Sequence, residues 1–172
     1  MGVDGNTWSL ADCSGPNGML IMFICNHCPY VKHVAGELAQ VGGDYGSRNV
    51  TIYAINSNDG KTYPGDNPEA MKKENASRGY TFPYLIDADQ SVAKAYRAAC
   101  TPDIYVFDAD KKLVYRGQLD SSRPSNGIPV TAGDLRAALD AVLAGADIAE
   151  DQTPSIGCSI KWTPGNQPDW AF

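Results

Sequence analysis

Five cysteines and two histidines carry the nucleophilic and metal-binding potential of this 172-residue chain, and three of the seven fall within four positions, Cys25-Asn26-His27-Cys28. A thiol is a poor nucleophile and its thiolate a strong one, so the question for each cysteine is what would hold it deprotonated. The start of a helix does so, because its unpaired N–H groups and the positive end of its dipole favour an anion. Pro29, a residue suited to a first helical turn, follows Cys28 directly and predicts that Cys28 occupies such a start. Cys13, Cys100 and Cys158 lie at irregular spacing. An odd set of this kind is unlike the even framework of a small secreted domain and leaves at least one thiol free.

The elements that must position these residues are legible from apolar periodicity. From Met19 a continuous apolar run, the pattern of a buried strand, ends in Cys25-Asn26-His27-Cys28. From Pro29, apolar residues at Val31, Val34, Ala35, Leu38 and Val41 make a helical stripe that Gly42-Gly43 is expected to stop. Val50 to Ile55 reads as a second strand. Asn67-Pro68-Glu69 opens a helix ending near Gly79. Tyr84 to Ile86 reads as a short strand and Gln90 to Ala99 as a short helix. Asp103 to Phe107 and Leu113 to Gly117 flank a polar turn and predict a hairpin. Asp108 and Asp110 read as turn residues, since the remaining ligands of a calcium loop are missing. Thr131 to Ala144 is the last helix.

This order implies an α/β domain, a mixed central sheet with helices on both faces, over residues 1–144. Residues 145–172 form an irregular C-terminal extension, expected to be pinned to the domain by Ile156, Ile160, Trp162 and Trp170. The net charge of −6 excludes a general nucleic-acid binder. No apolar stretch approaches the roughly 20 residues of a membrane helix, and residues 1–10 lack a signal-peptide pattern, so the chain reads as cytoplasmic.

The strand, the cysteine at a helix start, and Thr101-Pro102 ahead of a strand and hairpin together resemble the thioredoxin-like superfamily. Within it, NHCPYVKH, AINSND, CTPD, YRGQLD and PSIGC are similar to a peroxiredoxin-like branch grouped with the alkyl hydroperoxide reductase and thiol-specific antioxidant proteins. The resemblance implies a thioredoxin-like fold in which Pro102 is a cis-proline facing the active cysteine, with Thr101 before it. Aligned with thioredoxin's active-site motif, Cys28 takes the position of the nucleophilic cysteine, Val31 that of the second cysteine, and Met22 that of the buried acid. The Pro-x-x-x-Thr-x-x-Cys motif of standard peroxidases is missing in either register. The branch also implies an N-terminal hairpin of which Gly5 to Leu10 would be the second half, its first strand lacking, with an open sheet edge that favours a homodimer.

The expected chemistry is that of a thiol-dependent oxidoreductase. Cys28 would attack a disulfide or hydroperoxide, Thr101 and Pro102 would shape the substrate groove, and His27 is the nearest base. Cys25, Cys100 and Cys158 are the candidate resolving thiols. Cys25 is separated from Cys28 by about 10 Å if extended, against the less than about 7 Å that a disulfide allows, so that pairing requires Asn26-His27 to turn sharply. Cys13 reads as a loop thiol with no assigned role, and His33 as structural or exposed. Tyr30, Arg116 and Arg123 are candidates for the surroundings. No cofactor is expected, and the reductant would be an external thiol. Two other readings are a peroxidase of unusual register and a non-catalytic module holding copper(I) through Cys25, Cys28 and a histidine.

Overall fold

The computed structural model describes residues 1–12 and 15–171; Cys13 lies outside them. Its centre is β1 (Met19–Phe23), every residue of which is buried. β1 pairs in parallel with β2 (Thr51–Asn56) and antiparallel with β5 (Asp103–Phe107). With β3 (Tyr84–Ile86) and β6 (Leu113–Gly117) the sheet order is β3-β2-β1-β5-β6.

Alternate residues of β1 feed two cores. Leu20 and Met22 pack against α1 (Pro29–Gly46), α2 (Pro68–Arg78) and α4 (Gly133–Ala144), through Leu38, Met71 and Leu139 among others. Met19, Ile21 and Phe23 face α3 (Ser91–Tyr96) and the extension, through Ala93, Tyr96 and Ile160. Burial on both sides explains why β1 is apolar without alternation. The β1–α1 junction is thereby fixed from two directions.

Three expectations are corrected. α1 runs on to Gly46 instead of stopping at Gly42-Gly43, because Gly42 is where Phe82 packs against the helix: a Cβ there would come within 2.6 Å of the ring. Gly43 is exposed with open space around it. Opposite effects are therefore expected in urea unfolding. Gly42→Val costs about 1–3 kcal/mol by overpacking, whereas Gly43→Ala adds up to about 1 kcal/mol by helix propensity. Gly5 to Leu10 form no strand; instead residues 1–3 bond to β3 (Val3 N–H to Tyr84 O, 2.9 Å), and Trp8 packs on Tyr53. Ile156 does not pin the extension, being 54% exposed.

Buried Ile160 and half-buried Trp162 join the second core, and Trp170 packs edge-on against Trp162. Gln90, fully buried, ties the extension down with polar bonds. Its amide donates to Ser57 O and Lys161 O, and its Oε1 accepts from the Thr163 N–H and the Asn166 amide.

Candidate active site

Cys28 is the residue immediately before α1, with extended backbone (φ −64°, ψ 125°), and Pro29 opens the helix. The apolar run delivers the chain to this point, the Asn26-His27 bend turns it, and the proline starts the helix. The bend is locked by side chains. The Asn26 N–H donates to Asp66 Oδ1 (2.7 Å), its amide donates to Gly65 O, and its Oδ1 accepts from the Tyr84 hydroxyl (3.0 Å). The turn sets the Cys25 thiol beside the Cys28 sulfur, near enough for each to shift the other's titration.

The Thr101–Pro102 peptide is cis, and Thr101 lies against both thiols: its carbonyl oxygen is 3.2 Å from Cys28 Sγ and its hydroxyl 3.3 Å from Cys25 Sγ. Thr101 also belongs to β4 (Cys100–Thr101), which pairs antiparallel with β7 (Cys158–Ser159), setting Cys158 opposite Thr101. Through that pairing both the N–H and the thiol of Cys158 reach the Cys28 sulfur. Cys28 thus sits between two thiols, one from the segment that joins β1 to α1 and one from the extension.

The electrostatics separate the three. The Cys28 thiol is held well below the ordinary range, chiefly by the hydrogen bond from Cys25; burial opposes this, and the Cys158 thiol and the N–H groups of Val31 and Cys158 add to it. The Thr101 carbonyl is the acceptor that would favour the protonated form, and the donors outnumber it. Cys25 is pushed up, first because it donates to Cys28, then by burial and by the negative charge of Asp66. Burial, and then donation to Cys28, raise Cys158. Cys100 is pushed up to about 12, mainly by burial, and its sulfur contacts Pro102 O and Ser155 O, not the Cys28 thiol.

His27 is held by Asp66. Its Nδ1 bonds to Asp66 Oδ2, and its ring stacks on Tyr63 at 5.5 Å between centroids. Asp66 itself is 3% exposed and also accepts from the Asn56 and Asn58 amides (3.2 and 2.9 Å). The Cys25 sulfur, a His27 ring nitrogen and an Asp66 oxygen lie within 4.8 Å of one another. As a metal site this set fits poorly: four N–H donors already occupy the carboxylate's roughly four lone-pair sites. Asp66 was not singled out by sequence, and its partners Asn56 and Asn58 entered only within the segment AINSND, without a role. The available signal was Asn56-Ser57-Asn58, three polar residues directly after an apolar strand, all of them buried.

Tyr30, His33 and Arg123 line a small cleft beside Pro102 with exposed Ile156 at its rim. His33 bonds to Ser122 Oγ (2.7 Å), and Arg123 donates to the carbonyls of Asp120 and Ser122. Arg116 lies elsewhere, over the Tyr105 ring and bonded to Arg97 O.

A model of the AhpC/TSA family matches residues 2–116, well over half of the chain. The chain belongs to the AhpC/TSA family. That places it among thiol-dependent redox proteins built on the thioredoxin-like fold. Two crystal structures match this AhpC/TSA member over nearly its whole length. An uncharacterised conserved protein of Geobacillus kaustophilus is 59% identical, with a TM-score of 0.94 over 96% of this chain and 88% of its own. A hypothetical protein of Sinorhizobium meliloti is 49% identical, with a TM-score of 0.93 over 95% and 90%. A secreted disulfide oxidoreductase of Mycobacterium tuberculosis shares the fold at 18% identity, with a TM-score of 0.63 over 82% and 92%. No curated protein matches the sequence. Among the described residues no helix is long and apolar enough to cross a membrane.

Proposed function

We propose that this AhpC/TSA protein is a thiol–disulfide oxidoreductase in which Cys28 is the nucleophile and Cys25 the resolving thiol. The observation that carries the reading is the Cys28 sulfur at the head of α1, facing Thr101-Pro102, with the buried Cys25 thiol in contact. The Cys28 thiolate attacks one sulfur of a substrate disulfide, forming a mixed disulfide and expelling the first substrate thiolate. Cys25 then attacks Cys28 Sγ, forming the Cys25–Cys28 bond and releasing the second substrate thiol. Two electrons pass to the substrate, and an external dithiol returns them. The compartment we infer is the cytoplasm, where such thiol reductants are abundant.

Of the three candidate resolving thiols, Cys25 already contacts Cys28 from inside the domain. Cys158 contacts it from an extension that covers the nucleophile, and Cys100 is turned toward other carbonyls. Mild oxidation followed by non-reducing peptide mapping is expected to yield a Cys25–Cys28 disulfide. Cys25→Ser is expected to accumulate a long-lived mixed disulfide on Cys28 when given a protein disulfide substrate. A Cys28–Cys158 bond as the sole product would transfer the resolving role to the extension. Rapid consumption of a hydroperoxide, with sulfenic acid trapped on Cys28, would make the substrate a peroxide instead.

A further inference from the structure

The resolving step sets a problem that the two cysteines do not solve. Cys25 must lose its proton to attack, yet it is 2% exposed and held protonated by its surroundings. Bulk water does not reach it, and once Cys28 is in a mixed disulfide its sulfur can no longer take up a proton. We infer that the His27–Asp66 pair is the proton acceptor for Cys25, an inference that rests on the assignment of Cys25 as resolving thiol.

Four observations support the pair in this role. One ring nitrogen of His27 and one carboxylate oxygen of Asp66 lie within 4.8 Å of the Cys25 sulfur. Asp66 is buried and has its oxygens committed to N–H donors, so it is fixed in position and serves to stabilise charge on its partner. The His27 side chain is a third exposed, which gives the pair a wet end. Among the described residues His27 Nε2 makes no hydrogen bond, leaving one ring nitrogen open.

The step balances as follows. The Cys25 S–H bond breaks and its proton passes to the His27 imidazole, which becomes an imidazolium against the Asp66 carboxylate. The Cys25 sulfur forms a bond to Cys28 Sγ as the Cys28–substrate S–S bond breaks. The departing substrate thiolate, or solvent at the exposed edge of His27, then takes the proton. The other titratable groups around the pair are Cys28, Tyr63 stacked on the imidazole, and Tyr84 of β3, which reaches it through Asn26 and Asn56. Burial raises the Tyr84 phenol well above its usual range, so it stays neutral throughout.

Two phases separate this role from a structural one. The full-length protein is mixed with a chromogenic aromatic disulfide, quenched in acid at intervals and mapped by peptide mass, which reads each cysteine separately. In His27→Gln the formation of the Cys28 adduct is expected to keep its rate within about twofold, while conversion to Cys25–Cys28 slows by about ten- to a hundredfold at neutral pH. That deficit narrows as pH rises, because Cys25 then ionises without help. Asp66→Asn shows the same selective slowing if its folded fraction, checked by circular dichroism, is retained; His27→Gln carries the test if it is not. Equal slowing of both phases, an unchanged second phase, or a deficit independent of pH overturns the inference. A wild-type protein whose Cys28 adduct never converts overturns the assignment of Cys25, and this inference with it.

Discussion

Cys28→Ser is expected to remove disulfide exchange by a factor on the order of a thousand or more, measured as reduction of insulin with an external dithiol present. A serine hydroxyl at this position is not ionised near neutral pH and has no bond to exchange, so no partial activity is expected from the remaining thiols. The wild-type thiol should carry a matching pH signature. Its alkylation rate by iodoacetamide stays nearly flat as pH falls from the ordinary thiol value of about 8.5 toward the lowered Cys28 value, whereas an ordinary thiol loses tenfold per unit. Because the hydrogen bond from Cys25 is the largest cause of that lowering, Cys25→Ala, which removes the donor, should move the alkylation profile to higher pH. A profile that does not move would show that the helix start alone sets the thiolate. The shift also enters folding stability. Below about 8.5 the unfolded chain protonates Cys28 while the folded chain does not, so this contribution is lost as pH falls toward the folded value. Cys25, shifted the other way, contributes stability that is lost as pH rises above the same ordinary value.

The β1–α1 junction was readable because local rules suffice there: a two-sided buried strand is uniformly apolar, and a proline marks the first helical turn. α2 was readable for the same reason. Asn67 caps it by accepting from the Ala70 N–H (2.8 Å), and Gly79 closes it at φ 67°. The Asp108 turn followed local chemistry too, its carboxylate accepting the N–H groups of Asp110 and Lys112. What could not be read depends on segments far apart in the chain. Asp66 lies some forty residues from Asn26 and His27, and nothing local distinguishes it from a solvated loop acid. Gly42 reads as a helix stop until Phe82 is known to pack against it. The pairing of Cys158 with Thr101 uses a two-residue strand inside an irregular extension, too short for any periodicity to reveal. The candidate nucleophile was therefore legible, and most of its surroundings were not.

Gly157→Val is expected to expose Cys28 and raise its labelling by a bulky maleimide about tenfold or more. Cys28 has no exposed surface in this structure, and the chain at Gly157-Cys158 runs across the Thr101 backbone beside it. The approach is so close that a Cβ at Gly157 would fall 2.0 Å from Thr101 O and 2.6 Å from its carbonyl carbon. Those are backbone atoms and cannot rotate away, so a side chain there forces β7 off β4. The displacement should stay local, since Gln90 still holds Lys161, Thr163 and Asn166. The β4–β7 ladder is short, and each backbone bond contributes only about 1 kcal/mol net. Its loss thus opens the site without unfolding the domain. Lifting β7 also removes the Cys158 donors from Cys28 and raises its pKa, which would slow labelling near neutral pH. Measuring at pH above the ordinary thiol value of about 8.5 removes that opposing effect. Cys158→Ala separates the two contributions, because it leaves the glycine and the strand pairing in place and removes only the thiol donor. Fast labelling in Gly157→Val with little change in Cys158→Ala would identify the extension as the cover over the nucleophile. Equal labelling in both variants and the wild type would show that reagents reach Cys28 by a route that does not pass β7.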